Sequence, residues 1–404
     1  MKTIIVSPCG LPIPAVKGGA VLTLIESIII QNEINKKMEL TVIGIHDKDA
    51  IEKSKKYKNT NFIFIKEPKI CKIIDNLYEK IYTKISHKQH NTLKRYLWKL
   101  YVINYLKKIL KKFDFDKVVL ENSGYLLNVL KDRNIAKKYD NKVFYHLHND
   151  IPDNIYINGL KKCKILSISE YLTKKIISVC GNEIKKNIFI LKNGFNCEKF
   201  NQELTEKQKI ELKDNLQIES DKKIILFAGR ITPEKGIKEL LEAYEKIDND
   251  NIVLLIVGSH NFGANNTSNF EQNIKNKVES LKEKIKFTGY IDYDNMWKYY
   301  KLADLAVFPS IWEEPAGLTM LEATIASLPL ITTRTGGIVE YLEEEQAIFV
   351  DNDEKIVNAL TKKINDFFDN EKKYNKKMLC ISKKLEKEYN EKIYYENFVK
   401  IILK

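Results

Sequence analysis

Short runs of apolar, often β-branched residues alternate along the first half of the chain with longer stretches in which apolar residues recur at helical spacing. The short runs predict strands at Thr3–Val6, Leu40–Ile45, Phe62–Ile65, Lys117–Leu120, Lys142–Leu147, Lys164–Ile168 and Ile188–Ile190. Helical patterns such as Ala20–Asn32 and Leu93–Lys112 separate these runs. Strands that alternate with helices form βαβ units, so we expect a parallel sheet.

The alternation starts again after Asn201–Lys222, a polar segment with a helical stretch but no apolar core for a strand. The second series predicts strands at Lys223–Ala228, Ile252–Val257, Ile285–Thr288, Leu305–Phe308, Leu330–Thr332 and Ala347–Val350. The pattern therefore predicts an α/β protein with two Rossmann-like parallel-sheet domains facing a cleft. We place the domains at residues 1–200 and 201–385, and a helix that could return to the first domain at 386–404.

Composition narrows the class of protein. Of 404 residues, 44% are hydrophobic and 30% charged, which excludes an integral membrane bundle, and nine Pro with 16 Gly exclude a collagen-like or low-complexity chain. The apolar run at Met1–Pro8 is too short for a signal peptide and reads as a buried strand. Six scattered cysteines without a C-x-x-C pair are typical of a reducing compartment. We expect a cytoplasmic protein, peripheral on the inner face of the membrane.

The net charge of +13 is concentrated in the first half. Residues 1–200 hold 37 basic and 19 acidic side chains, whereas residues 201–404 hold 30 basic and 35 acidic ones. Residues 53–112 alone carry 17 basic side chains against three acids, with aromatic residues between them. This segment could meet an anionic membrane that carries a lipid-linked acceptor. The alternative is a pair of amphipathic helices whose aromatic residues lie in the protein core and whose lysines are solvated. No nucleic-acid-binding motif is recognisable, so we expect no nucleic-acid partner.

Two glycine-containing loops follow predicted strands, where parallel sheets bind ligands. Gly18 and Gly19 open the first helix and let the backbone approach a ligand closely. The loop after Lys223–Ala228 carries Arg230 and Lys235, whose planar guanidinium and mobile ammonium can converge on one diphosphate. Neither the dinucleotide fingerprint nor a P-loop motif occurs in the chain.

The loop after Leu305–Phe308 carries two acids eight residues apart, Glu314 and Glu322. Pro and Gly residues between them mark a loop that enters a helix, with one carboxylate at the helix mouth and the other one or two turns inside. A spacing of eight residues places the two acids within about 80° of each other around a helix axis. Carboxylates only accept hydrogen bonds, which suits the hydroxyl groups of sugars. Between them, the N–H groups of Gly317, Leu318 and Thr319 stand where a helix N-terminus can hold a phosphate.

These motifs together resemble those of the family 4 glycosyltransferases, retaining enzymes with the two-domain GT-B fold. The E-x7-E element of that family matches Glu314 to Glu322, its usual lead-in matches Ala303–Ser310, and a Gly-Arg-x-x-x-Glu-Lys-Gly element matches residues 229–236. Weaker similarities are Ser169-Glu170-Tyr171, Asn193-Gly194, Val257-Gly258, and Gly336-Gly337 with Glu340. The resemblance runs from residue 18 to residue 340, which is most of the chain.

The resemblance implies a role for each matching position. Arg230 and Lys235 would neutralise the diphosphate of a nucleotide sugar, and Gly18–Gly19 would approach it from the first domain. Glu322 would bind the ribose hydroxyls, and Glu314 would bind the donor sugar near its reacting carbon. The first domain would then serve the acceptor, and residues 201–385 the nucleotide sugar.

A histidine at the end of the strand Lys142–Leu147 would, by the same resemblance, face the donor sugar and the acceptor. Alternation along a strand puts His146 and His148 on one face, so either residue could serve. We favour His148 as the catalytic residue, because it is nearer the carboxyl end of the strand, and we interpret His146 as a structural histidine.

The sequence also contains five D-x-D pairs, the pattern that binds a divalent metal in the other main glycosyltransferase fold. The pairs are Asp47/Asp49, Asp114/Asp116, Asp248/Asp250, Asp292/Asp294 and Asp351/Asp353. We interpret all five as loop or turn acids, and expect no metal and no cofactor.

The predicted function is transfer of a sugar, with retention, from a nucleotide diphosphate sugar to a hydroxyl group. The expected donor is a UDP-sugar, and the expected acceptor is a saccharide or lipid-linked glycan in cell-surface polysaccharide assembly. One alternative is a nucleotide-sugar 2-epimerase of the same architecture. Another is a nucleotide-binding regulatory protein that has lost catalysis.

Overall fold

The structure is a computed structural model that describes residues 1–86, 95–150, 154–259, 268–281 and 283–404. It divides into two compact units. The first contains Met1–Ile168, Leu172–Lys192 and Tyr395–Lys404, and the second contains Ser169–Tyr171 and Asn193–Tyr394. The domain bounds drawn from the sequence (1–200, 201–385 and 386–404) differ from the bounds of these two units and stay predictions.

The first unit is built on a seven-stranded parallel sheet with the order β3-β2-β1-β4-β5-β6-β7. Its strands are β1 (Lys2–Val6), β2 (Glu39–Ile45), β3 (Thr60–Ile65), β4 (Lys117–Glu121), β5 (Val143–Leu147), β6 (Lys164–Ser167) and β7 (Ile188–Ile190). The second unit is built on a six-stranded parallel sheet with the order β10-β9-β8-β11-β12-β13. Its strands are β8 (Lys223–Ala228), β9 (Ile252–Val257), β10 (Ile285–Gly289), β11 (Leu305–Phe308), β12 (Leu330–Thr333) and β13 (Ile348–Val350). The predicted class, α/β with two Rossmann-like parallel sheets, is confirmed.

Helices connect the strands of both sheets. The α-helices are α1 (Ala20–Asn35), α2 (Lys48–Ser54), α3 (Lys69–Ser86), α4 (Tyr96–Lys112), α5 (Arg133–Lys138), α6 (Ile157–Leu160), α7 (Glu170–Cys180), α8 (Cys197–Phe200), α9 (Glu206–Asn215), α10 (Ile237–Tyr244), α11 (Asn269–Ser280), α12 (Met296–Leu302), α13 (Leu318–Ile325), α14 (Ile338–Tyr341), α15 (Ile356–Asp369), α16 (Glu371–Tyr389) and α17 (Glu391–Leu403). Short 3₁₀ helices lie at Gly124–Lys131, Asn154–Tyr156, Asn182–Asn187, Pro233–Lys235 and Tyr293–Asn295. The first two residues of the helix predicted at Leu93–Lys112 lie outside the described residues. Within the described ranges, no helix has both the length and the apolar character that a bilayer-spanning segment needs.

The strands read as continuous apolar runs because the sheets are covered on both faces. Every residue of β9 is buried, as are five of the six residues of β8. In the second unit, α10 and α15 contribute Leu240, Leu360 and Phe367 to the same core. In the first unit, Tyr395 of α17 donates a hydrogen bond to the buried Asn32 of α1 over 2.8 Å.

The strand order places the candidate motifs at the topological switch point of each sheet, where successive strands begin to be added on the opposite side. The first strand of each unit is central: β1 lies between β2 and β4, and β8 lies between β9 and β11. At such a switch point the loops from neighbouring strand ends diverge and leave room for a ligand. The loops that follow β8 and β11 carry Arg230, Lys235 and Glu314, and β4 ends at Glu121.

Candidate active site

The loop after β8 is pressed against the loop after β11 through a glycine. Gly236 has a left-handed φ of 70°, and a Cβ at this position would lie 1.8 Å from the carbonyl oxygen of Pro309. The hydroxyl of Ser310 and the N–H of Ile311 both donate to the carbonyl oxygen of Glu234, over 3.1 and 3.0 Å. Only glycine combines this backbone conformation with this approach, so Gly236 fixes the distance between the two loops.

The two loops bring Lys235 and Glu314 into an ion pair. The Lys235 ammonium contacts Oε1 of Glu314, and the hydroxyl of Ser310 donates to the same oxygen over 2.9 Å. The Glu314 side chain is buried, whereas the Lys235 side chain is 22% exposed. A partly exposed cation above a buried, hydrogen-bonded carboxylate can turn toward an anionic ligand while the carboxylate stays in place.

Arg230 lies at the start of the same loop and is more exposed. Its guanidinium is 3.4 Å from the Glu234 carboxylate, and 40% of its side chain is exposed. The structure therefore places both predicted diphosphate-binding cations in one loop, each beside an acid.

The loop after β12 supports Glu314 from the other side. The N–H of Gly337 donates to the Glu314 carbonyl oxygen over 2.6 Å, and the N–H of Gly336 donates to the Glu313 carboxylate over 2.6 Å. A Cβ at Gly336 would lie 2.2 Å from the Glu314 carbonyl oxygen. The Gly336-Gly337 pair thus lets the backbone of a third loop reach the backbone at Glu314.

Glu340, the third residue of this weak motif, accepts two backbone hydrogen bonds. Its two carboxylate oxygens accept hydrogen bonds from the N–H groups of Glu170 and Tyr171, over 2.6 and 2.7 Å. Two of the weaker similarities found in the sequence therefore belong to one contact within the second unit.

The helix α13 begins directly after the Glu314 loop. Gly317 is its N-cap residue, with a left-handed φ of 78°, and Leu318 is its first helical residue. The N–H groups of Leu318 and Thr319 are therefore in the first turn, where helix geometry leaves them without intrahelical acceptors. Glu314 precedes the helix, so the 80° spacing that assumed one continuous helix does not apply to Glu314 and Glu322.

Glu322 lies in the second turn of α13 and is buried against two tyrosines. The hydroxyls of Tyr293 and Tyr300 donate to separate carboxylate oxygens of Glu322, over 3.0 and 2.9 Å. Burial raises the pKa of Glu322 to about 7, although the two tyrosine hydrogen bonds act in the opposite direction. The sequence did not indicate either tyrosine, because their contact with Glu322 depends on how α12 and the 3₁₀ helix before it pack against α13.

Replacing Glu322 by Gln is expected to stabilise the protein at pH 8 and to change little at pH 4. Between the ordinary carboxyl pKa and about 7, the folded chain keeps a proton that the unfolded chain releases, so stability falls as pH rises through this window. The shift corresponds to roughly 3 kcal/mol of unfolding free energy at most, and Gln lacks this loss. Urea unfolding at both pH values measures the difference. Equal effects of the substitution at pH 4 and pH 8 would contradict the raised pKa.

A second cluster joins both candidate histidines to Glu121, the last residue of β4, in the first unit. The Glu121 carboxylate is 3.1 Å from Nδ1 of His146 and 3.2 Å from Nε2 of His148. All three side chains are buried, and the two imidazole ring centres are 3.9 Å apart. Glu121 was not predicted, although the parallel register places it directly beside His146.

The electrostatics of this cluster favour an ionised acid and a neutral histidine. Burial alone would raise the pKa of Glu121, but the charge and hydrogen bond of His146 and the hydrogen bond of His148 lower it to about 2. Burial lowers the pKa of His148 to about 4, against the effect of Glu121. Across the described ranges, this is the one group of three or more His, Cys, Asp or Glu side chains whose ligand atoms lie close enough to hold a metal ion.

The predicted glycines of the first unit lie directly before α1. Gly18 and Gly19 both have positive φ, at 70° and 105°, and Gly19 is the N-cap residue of α1. A Cβ at Gly19 would lie 3.2 Å from Cδ1 of Leu11, so the preceding loop folds back onto the helix start. The sequence correctly indicated the change from loop to helix at this point.

Comparisons with known proteins find a family model that matches part of the second unit. The family described as "Glycosyl transferases group 1" matches residues 208–382. An uncharacterized glycosyltransferase of Methanocaldococcus jannaschii is 30% identical over 191 residues, about half (47%) of each chain. Spore coat protein SA of Bacillus subtilis is 24% identical over 92% of this chain and 91% of its own. Lipopolysaccharide 1,2-N-acetylglucosaminetransferase of Salmonella typhimurium is 25% identical over 68% of this chain and 70% of its own.

Solved structures share the fold over the whole chain. A glycosyltransferase from Rickettsia africae has a TM-score of 0.75 at 20% identity and covers 99% of this chain and 97% of its own. An Anabaena protein crystallised with UDP and glucose has a TM-score of 0.73 at 16% identity and covers 100% of this chain and 99% of its own. At these identities the likeness concerns the fold, which is the GT-B architecture.

Proposed function

We propose that the chain, whose residues 208–382 match the group 1 glycosyltransferases, transfers a sugar, with retention, from a UDP-sugar to a hydroxyl of a saccharide or lipid-linked glycan. The proposed setting is cell-surface polysaccharide assembly at the cytoplasmic face of the membrane. In the reaction the bond between the anomeric carbon and the diphosphate breaks, and the acceptor oxygen forms the new bond. The acceptor hydroxyl loses its proton, and the nucleoside diphosphate leaves.

The observation that carries this proposal is the pairing of Lys235 with Glu314 beside the start of α13. A leaving diphosphate gains negative charge at its bridging oxygen, and cations fixed before the reaction stabilise that charge. Lys235 and Arg230 supply this charge from one loop, and the first N–H groups of α13 supply oriented dipoles. We propose that these groups do so without a metal ion.

Glu314 and Glu322 would then contact two different parts of the donor. Glu314 accepts a hydrogen bond from Ser310 and has a second oxygen beyond the Lys235 pair, so it can accept from a sugar hydroxyl. Glu322 can accept hydrogen bonds from the ribose hydroxyls in place of those that it now accepts from the hydroxyls of Tyr293 and Tyr300. This assignment expects loss of Glu314 to lower turnover, and loss of Glu322 to weaken nucleotide binding.

Two relatives support the choice of donor and acceptor. The Anabaena protein of the same fold was crystallised with UDP and glucose, which supports a UDP-sugar as the donor. The Salmonella relative is named as a lipopolysaccharide acetylglucosaminetransferase, which supports a lipid-linked glycan as the acceptor.

Thermal unfolding in the presence of a panel of nucleotide sugars tests the donor. A ligand that binds the folded chain raises the midpoint of unfolding in proportion to the logarithm of its concentration over its Kd. We expect UDP-sugars to raise the midpoint more than GDP- or CMP-sugars do. No shift with any nucleotide sugar at millimolar concentration would contradict the proposal.

The acceptor side of the proposal includes a membrane surface formed by α3. Ile70, Ile73 and Leu77 are 66%, 66% and 56% exposed, and they recur at helical spacing among exposed lysines. Of the three acids in residues 53–112, Glu67 pairs with Arg95, and the buried Asp75 accepts hydrogen bonds from two N–H groups at the start of α4. The side chain of the third acid is outside the described part.

Some aromatic residues of the same segment are buried in the core, and others are exposed as a membrane surface would require. Tyr57 and Trp98 are buried and belong to the core, as the alternative expects, whereas Tyr96 is 49% exposed. An exposed apolar stripe flanked by lysines favours an anionic bilayer surface. We therefore assign the membrane contact to the apolar stripe of α3 and its lysines, and leave the buried aromatics out of it.

Sedimentation with vesicles tests this surface. We expect the protein to sediment with vesicles of phosphatidylglycerol and to stay in solution with phosphatidylcholine. The double substitution Ile73→Glu and Leu77→Glu should abolish sedimentation, whereas Leu379→Glu, at a 60% exposed position of α16, should not. Equal sedimentation with both kinds of vesicle, or equal loss with both variants, would contradict an electrostatic contact through α3.

A further inference from the structure

We propose that Glu121 is a positioning residue that holds His148 in the tautomer with the proton on Nε2, so that Nδ1 accepts a hydrogen bond from a sugar hydroxyl. The hydroxyl contact rests on the proposed function, whereas the tautomer can be measured without any substrate.

The backbone first fixes where His148 stands. Glu121 and His146 are direct neighbours in the β4–β5 register, and His148 follows two residues later on the same face. Asn122 has a left-handed φ of 41°, and its N–H donates to the His146 carbonyl oxygen over 2.9 Å. Its side-chain oxygen then accepts from the N–H of His148 over 2.9 Å. These two hydrogen bonds of Asn122 therefore hold the backbone of His148 just beyond the end of the sheet.

The side chain of Glu121 then fixes the imidazole. Oε2 of Glu121 is 3.2 Å from Nε2 of His148 and 3.1 Å from Nδ1 of His146. An ionised carboxylate can only accept hydrogen bonds, so each facing ring nitrogen has to carry a proton. Because the pKa of Glu121 is lowered to about 2, it is ionised throughout the neutral range.

The remaining nitrogen of His148 follows from this arrangement. Burial lowers the pKa of His148 to about 4, so the ring is neutral at pH 7 and carries one proton. With that proton on Nε2, Nδ1 keeps its lone pair and accepts a hydrogen bond. His148 is thereby assigned to accepting a hydrogen bond that orients a sugar hydroxyl.

A bound metal is the competing interpretation of the same three side chains. Glu121, His146 and His148 could offer one ligand atom each, at separations within 4.8 Å. A metal would require unprotonated nitrogens facing the carboxylate, the reverse of the hydrogen-bonded arrangement. The protonation of the facing nitrogens therefore separates the two interpretations.

Nitrogen NMR of the full chain with ¹⁵N-labelled histidine tests the tautomer directly. The chain has six histidines, and a His148→Asn variant identifies the signals of His148. We expect a pyrrole-type Nε2 and a pyridine-type Nδ1 for His148 in the unmodified protein. Glu121→Gln, whose amide can also donate, should give a mixture of tautomers or the reverse one.

Donor kinetics test what the tautomer does. Glu121→Gln should lower kcat/KM for the nucleotide sugar about 10- to 100-fold, the same range as the loss of a group that orients a metal-binding histidine. The Kd of the free nucleoside diphosphate should not change. Glu121→Asp, which keeps an acceptor-only carboxylate, should recover part of the loss. Asp114→Asn, at an exposed acid just before β4, is the matched control and should change nothing.

Three results would overturn the proposal. The first is a pyridine-type Nε2 of His148 in the unmodified protein. The second is an unchanged tautomer and unchanged kcat/KM in folded Glu121→Gln. The third is a stoichiometric metal in the purified protein whose chelation abolishes activity. If no nucleotide sugar is turned over, the proposed function fails, and the NMR still decides the tautomer.

Discussion

Replacing Lys235 by Ala is expected to lower kcat for sugar transfer by about 100- to 1,000-fold, the range seen when a fixed donor to a developing anion is removed. Lys235 is the partly exposed member of the pair with the buried Glu314, and it lies in the loop that follows the central strand of the second sheet. The charge of Lys235 is therefore placed where a diphosphate can reach it. Without Lys235, Arg230 alone would leave part of the negative charge of the leaving diphosphate uncompensated.

Nucleoside diphosphate release during transfer measures this effect, and Lys238→Ala is the control. Lys238 is three residues away on α10, 65% exposed, and 3.7 Å from the Glu242 carboxylate, so its loss removes a lysine from the same region without touching Glu314. Equal activity of Lys235→Ala and Lys238→Ala would contradict the role of Lys235. A thermal midpoint close to that of the unmodified protein shows that Lys235→Ala is folded.

The second large effect is expected from Gly236→Ala, which should lower the free energy of unfolding by about 2–5 kcal/mol and weaken donor binding. Its φ of 70° costs a residue with a side chain about 1–2 kcal/mol. The new Cβ would also meet the Pro309 carbonyl oxygen at 1.8 Å, and such overpacking costs a further 1–3 kcal/mol, roughly. To relieve the clash between the new Cβ and the Pro309 carbonyl oxygen, the Lys235 loop has to move away from the Glu314 loop.

Gly289→Ala separates the two contributions. Gly289 has nearly the same φ, 72°, but no heavy atom lies within 4 Å of an added Cβ. It should therefore show only the conformational cost, about 1–2 kcal/mol in chemical unfolding. If both variants lose the same stability and Gly236→Ala keeps its donor affinity, the contact between the two loops does not hold the site together.

The sequence predicted the strands of both sheets well for a physical reason. Strands buried on both faces need apolar residues at successive positions, so β8 and β9 stand out as unbroken runs between polar segments. Parallel order followed from the intervening helices. The order of strands did not follow from the pattern, because it depends on which edges pair after the chain has crossed over.

The candidate site could be predicted only in part. Lys235 and Glu314 lie in recognisable motifs at strand ends, and the structure pairs them. Glu121 and Tyr293 were missed because each becomes significant through a neighbour distant in sequence. Glu121 needs the β4–β5 register, and Tyr293 needs the packing of its loop on Glu322. Glu314 lies before α13 and Glu322 in its second turn, as the loop-to-helix pattern predicted, but the 80° angle does not apply because α13 starts at Leu318.

The most direct test of sugar transfer follows a ¹³C-labelled sugar from its UDP donor in the presence of lipid-linked glycans. The proposed function expects the labelled anomeric carbon to appear in a glycosidic bond, with its configuration retained and with UDP released in equal amount. Without acceptor the donor should remain unchanged. A labelled sugar that stays attached to the diphosphate but is inverted at C2 would contradict transfer and identify the chain as a 2-epimerase.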